Sequence, residues 1–150
     1  MTDWAASSTD LDSPLLLDTH VLVWLVLGEP MLGSQAKMAI DKATLEQRVL
    51  VSAITPWEIG VLVNKGRIDL RRDALAWVQS ALALPGVGLA PMSPEISVAS
   101  TRLPWEIHAD PADRILVATA RHLGATLVTA DQKLLIDAGK KHFLALNARA

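Results

Sequence analysis

Short apolar runs that alternate with helix-length segments constrain this chain more than any other feature of its sequence. Leu15–Leu17, Arg48–Ser52, Val87–Ala90 and Thr126–Thr129 each read as a strand, and Phe143–Leu146 as a final edge strand. The intervening segments carry helix punctuation. His20–Leu27 is stopped by Gly28 and Pro30, with Thr19 expected as its cap, and Ser34–Ala43 is a second helix. Thr55-Pro56-Trp57-Glu58 has the capping-box spacing and a proline at the first helical position, opening a helix that ends near Asn64. Arg72–Leu84 is closed by Pro85-Gly86, and Pro94–Thr101 forms another helix. Asp110-Pro111-Ala112-Asp113 starts a helix that runs through His122 to Gly124, and Asp131–Ala138 is the last, closed by Gly139. Strands followed by helices predict an α/β fold: a central parallel sheet between two helical layers. In such sheets ligands bind beyond the carboxyl ends of the strands.

That rule gives the acids their meaning. Asp18 ends the first strand, Glu58 lies in the first turn after the second, Asp113 heads its own helix, and Asp131 follows Thr126–Thr129. Each has a local explanation as well. Glu58 can close a box with Thr55, Asp110 and Asp131 can cap helices, and Asp113 favours the positive end of one. Asp18 resists that treatment, because it interrupts an apolar segment where an unpaired charge is costly. At the carboxyl edge of a parallel sheet all four would converge. Crowded carboxylates raise each other's pKa unless a cation neutralises them. An all-oxygen donor set selects a hard ion, Mg²⁺ or Mn²⁺, over zinc. Such an ion can activate water, stabilise the leaving oxygen of a phosphodiester and let an acidic pocket accept a polyanion.

Composition bounds these readings. A chain of 150 residues suits one domain and buries roughly 70% of its unfolded surface without a disulfide. With no cysteine, disulfide frameworks, thiolate metal sites and cysteine nucleophiles are excluded, and a reducing cytosol is compatible. A net charge of −2 gives no global attraction to nucleic acid, so RNA contact needs a local basic patch or metal ions. Lys65, Arg67, Arg71 and Arg72 form the densest candidate patch, with a solvated helix–turn surface as the alternative. Arg114 could equally contact phosphate or pair with an acid. The leader, residues 1–14, carries Asp3, Asp10 and Asp12 but no Lys or Arg, so it lacks the positive start of a signal peptide. It is expected to be poorly ordered, ahead of a domain spanning 15–150. Leu15–Gly28 is apolar but interrupted by Asp18 and His20, and shorter than the about 20 residues of a spanning helix. A cytoplasmic location without a membrane is the expectation.

Four motifs carry a more specific resemblance: Leu-Leu-Leu-Asp-Thr-His (15–20), Ser-Ala-Ile-Thr-Pro-Trp-Glu-Ile (52–59), His-Ala-Asp-Pro-Ala-Asp-Arg (108–114) and Leu-Val-Thr-Ala-Asp (127–131). In order and spacing they resemble PIN-domain ribonucleases, specifically VapC-type toxins of bacterial toxin–antitoxin pairs. The resemblance covers Leu15 to about Leu146. It implies a PIN-like three-layer α/β/α fold and places the family's four acids on Asp18, Glu58, Asp113 and Asp131. Asp110 matches a pattern of one branch, and Thr19 and Thr129 are supporting residues. An aromatic residue common in the family is replaced by Ala112. The resemblance further implies cleavage of RNA, frequently tRNA or ribosomal RNA, with Mg²⁺ or Mn²⁺, a homodimer, and a cognate antitoxin whose tail covers the acidic pocket.

Two other classes remain open at this point. A receiver-like signalling domain also gathers acids around Mg²⁺, but it wants a lysine after the fifth strand, and Lys133 lies inside a helix. A phosphatase working through aspartyl phosphate wants a second acid two residues after Asp18, where this chain has His20. The remaining class is a non-catalytic partner-binding domain that keeps its acids for capping. Trp24, Trp57, Trp77 and Trp105 are expected in the core or at an interface rather than as base-stacking platforms. Any that prove exposed would suit an antitoxin groove. His20 and His108 flank the acids, with orientation or packing expected before acid–base work.

Overall fold

The computed structural model describes residues 13–107 and 110–150. Most of the expected leader, residues 1–12, and His108 lie outside the described residues. Five strands, β1 (Leu15–Leu17), β2 (Val49–Ser52), β3 (Val87–Ala90), β4 (Thr126–Thr129) and β5 (Leu144–Asn147), form one sheet in the order β3-β2-β1-β4-β5. Every pairing is parallel, with Leu16 opposite Leu50 on one side and Leu127 on the other.

Side-chain alternation divides the core between the two faces. Leu17, Val49, Val51 and Val128 point to one face, packing with Val21, Ile40, Ile59 and Trp77. Those residues come from α1 (Thr19–Leu27), α2 (Ser34–Leu45), α3 (Thr55–Asn64) and α4 (Ala74–Leu82). Leu16 and Leu127 point the other way, onto Leu116, Val117, Leu134 and Phe143. That layer is built by α6 (Pro111–Leu123) and α7 (Gln132–Gly139), with α5 (Pro94–Ser100) packed on α6. Because both faces are covered, strand residues can be apolar on both sides, as the sequence is. The three layers expected from the alternation are present.

Local chemistry sets several boundaries. Asp73 caps α4 by accepting the Ala76 N–H, so this helix begins later than the Arg72 expected from sequence. Gly86 takes φ +80° in the turn into β3, where a Cβ would stand 2.1 Å from the Thr44 carbonyl oxygen. Glycine is thus required where this turn presses on the end of α2. Pro14 is already tied to the sheet, its carbonyl accepting from Thr126 N–H at 2.9 Å.

β1 is central, and the chain builds outward from it first through β2 and β3, then through β4 and β5. The order therefore reverses between β1 and β4. A crevice opens beyond the carboxyl ends of the strands at such a reversal.

Candidate active site

Asp18 and Asp131 flank that reversal point. The Asp18 N–H continues the β1 ladder to the Val128 carbonyl, and the residue then becomes the N-cap of α1. Its Oδ1 accepts from the Thr19 N–H and its Oδ2 from the Thr129 hydroxyl, both at 2.7 Å. The cap expected at Thr19 is therefore one residue earlier. Thr19 is the first helical residue, and its buried hydroxyl turns across to α3. There it donates to Glu58 Oε1 and lies 3.2 Å from the Thr55 hydroxyl.

The Thr55–Glu58 capping box does not form. The N-cap position of α3 is Ile54, in helical conformation and without a side-chain bond, its N–H held by Ser52 Oγ. Thr55 faces Thr19, so Glu58 reaches to another helix instead of back along its own. The local explanation of this acid fails on geometry.

The other acids do serve their helices. Asp131 Oδ1 accepts from the Lys133 and Leu134 N–H groups at 2.9 and 3.2 Å, and its own N–H donates to Thr129 Oγ1 at 3.1 Å. One threonine hydroxyl thus links Asp18 and Asp131. Asp110 caps α6 through the Ala112 N–H at 2.9 Å. Asp113, in the first turn of α6, is only 8% exposed.

All five acids line one cleft of about 310 Å³, together with His20, Trp24 and Arg149. Burial pushes Asp18 above the ordinary carboxylate range, and the Asp131 charge adds to it, against the bonds from Thr129 and Thr19 and the nearby His20. Burial likewise raises Glu58, with the charges of Asp18 and Asp110 adding to it and the Thr19 hydroxyl opposing it. Among the described residues no three acidic or histidine side chains are drawn closely enough to enclose a metal ion directly. The donor chemistry nevertheless fits a hard divalent cation that keeps several waters, since mutually repelling, partly desolvated carboxylates share one wall.

The basic residues singled out in the sequence separate. Arg67 and Arg71 line a second depression, about 670 Å³, which shares His20 and Trp24 with the cleft. Lys65 and Arg72 are exposed but line neither hollow. Arg114 donates to the Ile107 carbonyl at 3.3 Å, makes no ion pair with the described residues and does not line the cleft. Trp77 is core, as expected, whereas Trp57 is 61% exposed. Trp105 donates to Asp137 and stacks on His142 at 4.2 Å, and it does not line the cleft.

Arg149 escaped the sequence reading. Its guanidinium lies over the Trp24 ring, 5.3 Å from the centroid. No local motif marks it, but it follows β5, and the edge rule that selected the acids applies equally to that position.

A family model described as "PIN domain" matches residues 15–141. Ribonuclease VapC22 of Mycobacterium tuberculosis is 35% identical over 121 residues, spanning 80% of this chain and 88% of that relative. Among solved structures, VapBC2 from Rickettsia felis, bound to a DNA fragment from its promoter, matches with a TM-score of 0.63 at 16% identity. DNA-bound VapBC from Salmonella typhimurium matches with a TM-score of 0.64 at 15% identity. Both cover 89% of this chain and 97% of the other. At these identities the structural likeness concerns the fold alone.

Proposed function

The chain belongs to the PIN-domain family, and on that premise we propose that it is a metal-dependent endoribonuclease, the toxin of a toxin–antitoxin pair. It hydrolyses RNA phosphodiester bonds in the carboxylate cleft. The single observation that carries this reading is the meeting of Asp18, Glu58, Asp113 and Asp131 from separate elements in one cleft at the sheet's order reversal. Similarity to a ribonuclease over most of the chain supports it.

Asp18, Glu58, Asp113 and Asp131 are the residues that would hold Mg²⁺ or Mn²⁺. When bound, the ion lowers the pKa of a water and neutralises charge on the reacting phosphate. The protein's part is to hold the donors ready. Thr129 fixes one oxygen of Asp18 while its own oxygen restrains Asp131, and Thr19 fixes Glu58. These supports set carboxylate orientation without contributing charge, as groups behind metal ligands commonly do. Asp110 adds negative potential at the rim while capping α6. Without a cation the acids would repel a phosphate placed among them, so the ion and the reacting phosphate are coupled, whereas the strand beyond the cleft is not.

The partners follow from the same reading. A cognate antitoxin covers the pocket, the RNA is a tRNA or ribosomal RNA, and the toxin is a homodimer whose domain spans 15–150. No helix among the described residues is long and apolar enough to cross a membrane, and a cytoplasmic site of action fits RNA cleavage. The purified protein is expected to cut RNA with Mg²⁺ or Mn²⁺ and to stop on adding EDTA. Cleavage that persists in folded Asp18→Asn removes the proposed site.

A further inference from the structure

We infer that the depression and the Arg149–Trp24 stack adjoining it in the cleft form a subsite for single-stranded RNA, with Arg149, Arg67 and Arg71 on phosphates and Trp24 and His20 offering ring faces to bases. The inference rests on the nuclease reading and specifies how its substrate lies.

Three guanidinium groups line this path, and none makes a hydrogen bond or ion pair with the described residues: Arg149 in the cleft, Arg67 and Arg71 beyond it. Elsewhere in the fold Arg48, Arg114 and Arg121 spend their N–H groups on a carboxylate or carbonyl. Trp24 and His20 belong to both hollows, so a strand leaving the acids crosses the indole before reaching Arg67 and Arg71. Asp69 also lines the depression, but its Oδ1 accepts the Arg71 N–H at 2.8 Å and supports that residue at φ +58°. Glu29 is the remaining acid there.

Arg149 is held in place from two sides. The Ala148 N–H donates to the Thr129 carbonyl and the Ala148 carbonyl accepts from Gly33, both at 2.8 Å. The Ala150 oxygen accepts from Ala36 N–H at 3.1 Å, and a Cβ on Gly33 would stand 1.9 Å from that oxygen. The segment bearing Arg149 is thereby clamped between the end of β4 and the start of α2. A guanidinium stacked on an indole keeps its N–H edge for a phosphate. Cations interleaved with ring faces suit unpaired nucleotides, whose bases can stack without sequence readout. A duplex, with its bases enclosed, gains nothing from Trp24.

The test is binding of a fluorescent oligoribonucleotide of about ten nucleotides to the full chain in EDTA, by anisotropy across a salt series. Arg149→Ala and the pair Arg67→Ala/Arg71→Gln are each expected to weaken binding several-fold and to flatten the log–log salt slope by roughly 0.7 per arginine. Arg149→Lys should keep the slope and lose part of the affinity, and Lys65→Ala/Arg72→Ala should change neither. A hairpin duplex should compete poorly. Wild-type slopes in Arg149→Ala and Arg67→Ala/Arg71→Gln overturn the subsite. So does intact RNA affinity accompanied by loss of a co-expressed helical protein partner, which assigns the depression to that protein. Cleavage of RNA with Mg²⁺ alongside unaltered slopes sinks the subsite alone. A wild-type chain that neither binds nor cuts RNA sinks the nuclease reading, and the subsite falls with it.

Discussion

Asp18 and Glu58, the inner pair of the cleft, accept hydroxyls that arrive from other elements, whereas Asp110 and Asp131, the outer pair, accept N–H groups of the helices they begin. The outer acids are what capping alone would place there: each satisfies orphan donors of its own helix and faces the positive end of its dipole. The inner acids gain less from their surroundings. Asp18 does cap α1, yet burial and the neighbouring charges push both inner acids above the ordinary range. Carboxylates held where ionisation is disfavoured cost the fold stability, and a bound cation would offset that cost. The contrast separates acids that capping explains from acids that it does not, and on the proposed function Asp131 belongs to both groups.

The largest expected effect breaks the comparison most directly. Asp18→Asn should cut RNA cleavage by roughly 100-fold or more while circular dichroism stays native. Asp110→Asn should cost less than about tenfold, because a cap can be shared by asparagine. Equal losses at the two sites would abolish the distinction between inner and outer acids. Next come the supporting hydroxyls. Thr129→Val and Thr19→Val should each lower metal affinity or cleavage by about 10- to 100-fold, read as a higher Mg²⁺ requirement. Normal Mg²⁺ titrations in both variants would mean that the hydroxyls only pack.

Stability separates the pairs in the opposite sense. Asp110→Ala removes a cap worth about 1 kcal/mol and should lower the melting temperature by about 2–4 °C. Glu58→Gln should raise it in EDTA at neutral pH. For an acid whose folded pKa is raised, the folded state holds more protons than the unfolded one as pH climbs from the ordinary value to the raised one. Stability therefore falls across that window and stays lower above it. The gain from Glu58→Gln over wild type should be absent near pH 4 and grow toward pH 8. Added Mg²⁺ should stabilise wild type more than the variant. A gain independent of pH would mean that the substitution improves packing rather than relieving charge.

Much of the frame was legible in the sequence because periodicity and punctuation are local. Leu15–Leu17 and Thr126–Thr129 are strands with the bounds read from their apolar runs, and Asp110-Pro111 starts α6 as its spacing indicates. The deviations are competitions between neighbours. Asp18 displaces Thr19 as cap because its carboxylate, at the strand's end, is nearer the free N–H. Thr55 abandons its box because the buried Thr19 hydroxyl lies within reach across the helix pair. Phe143 turns into the core, and the last strand starts at Leu144. The acids could be picked out because a parallel sheet sends every strand-to-helix junction to one edge. Their roles could not, since capping and metal holding use the same residue type at the same position.

By itself the sequence determined the layers, the parallel sheet and the edge on which the acids fall, because these follow from residue order and side-chain alternation along each element. Tertiary structure alone decided which hydroxyl holds which carboxylate, which arginines reach the cleft, and that Arg149 rests on Trp24. Those contacts join residues as far apart as Asp18 and Thr129, and their geometry depends on how helices pack over the sheet, which no spacing along the chain encodes.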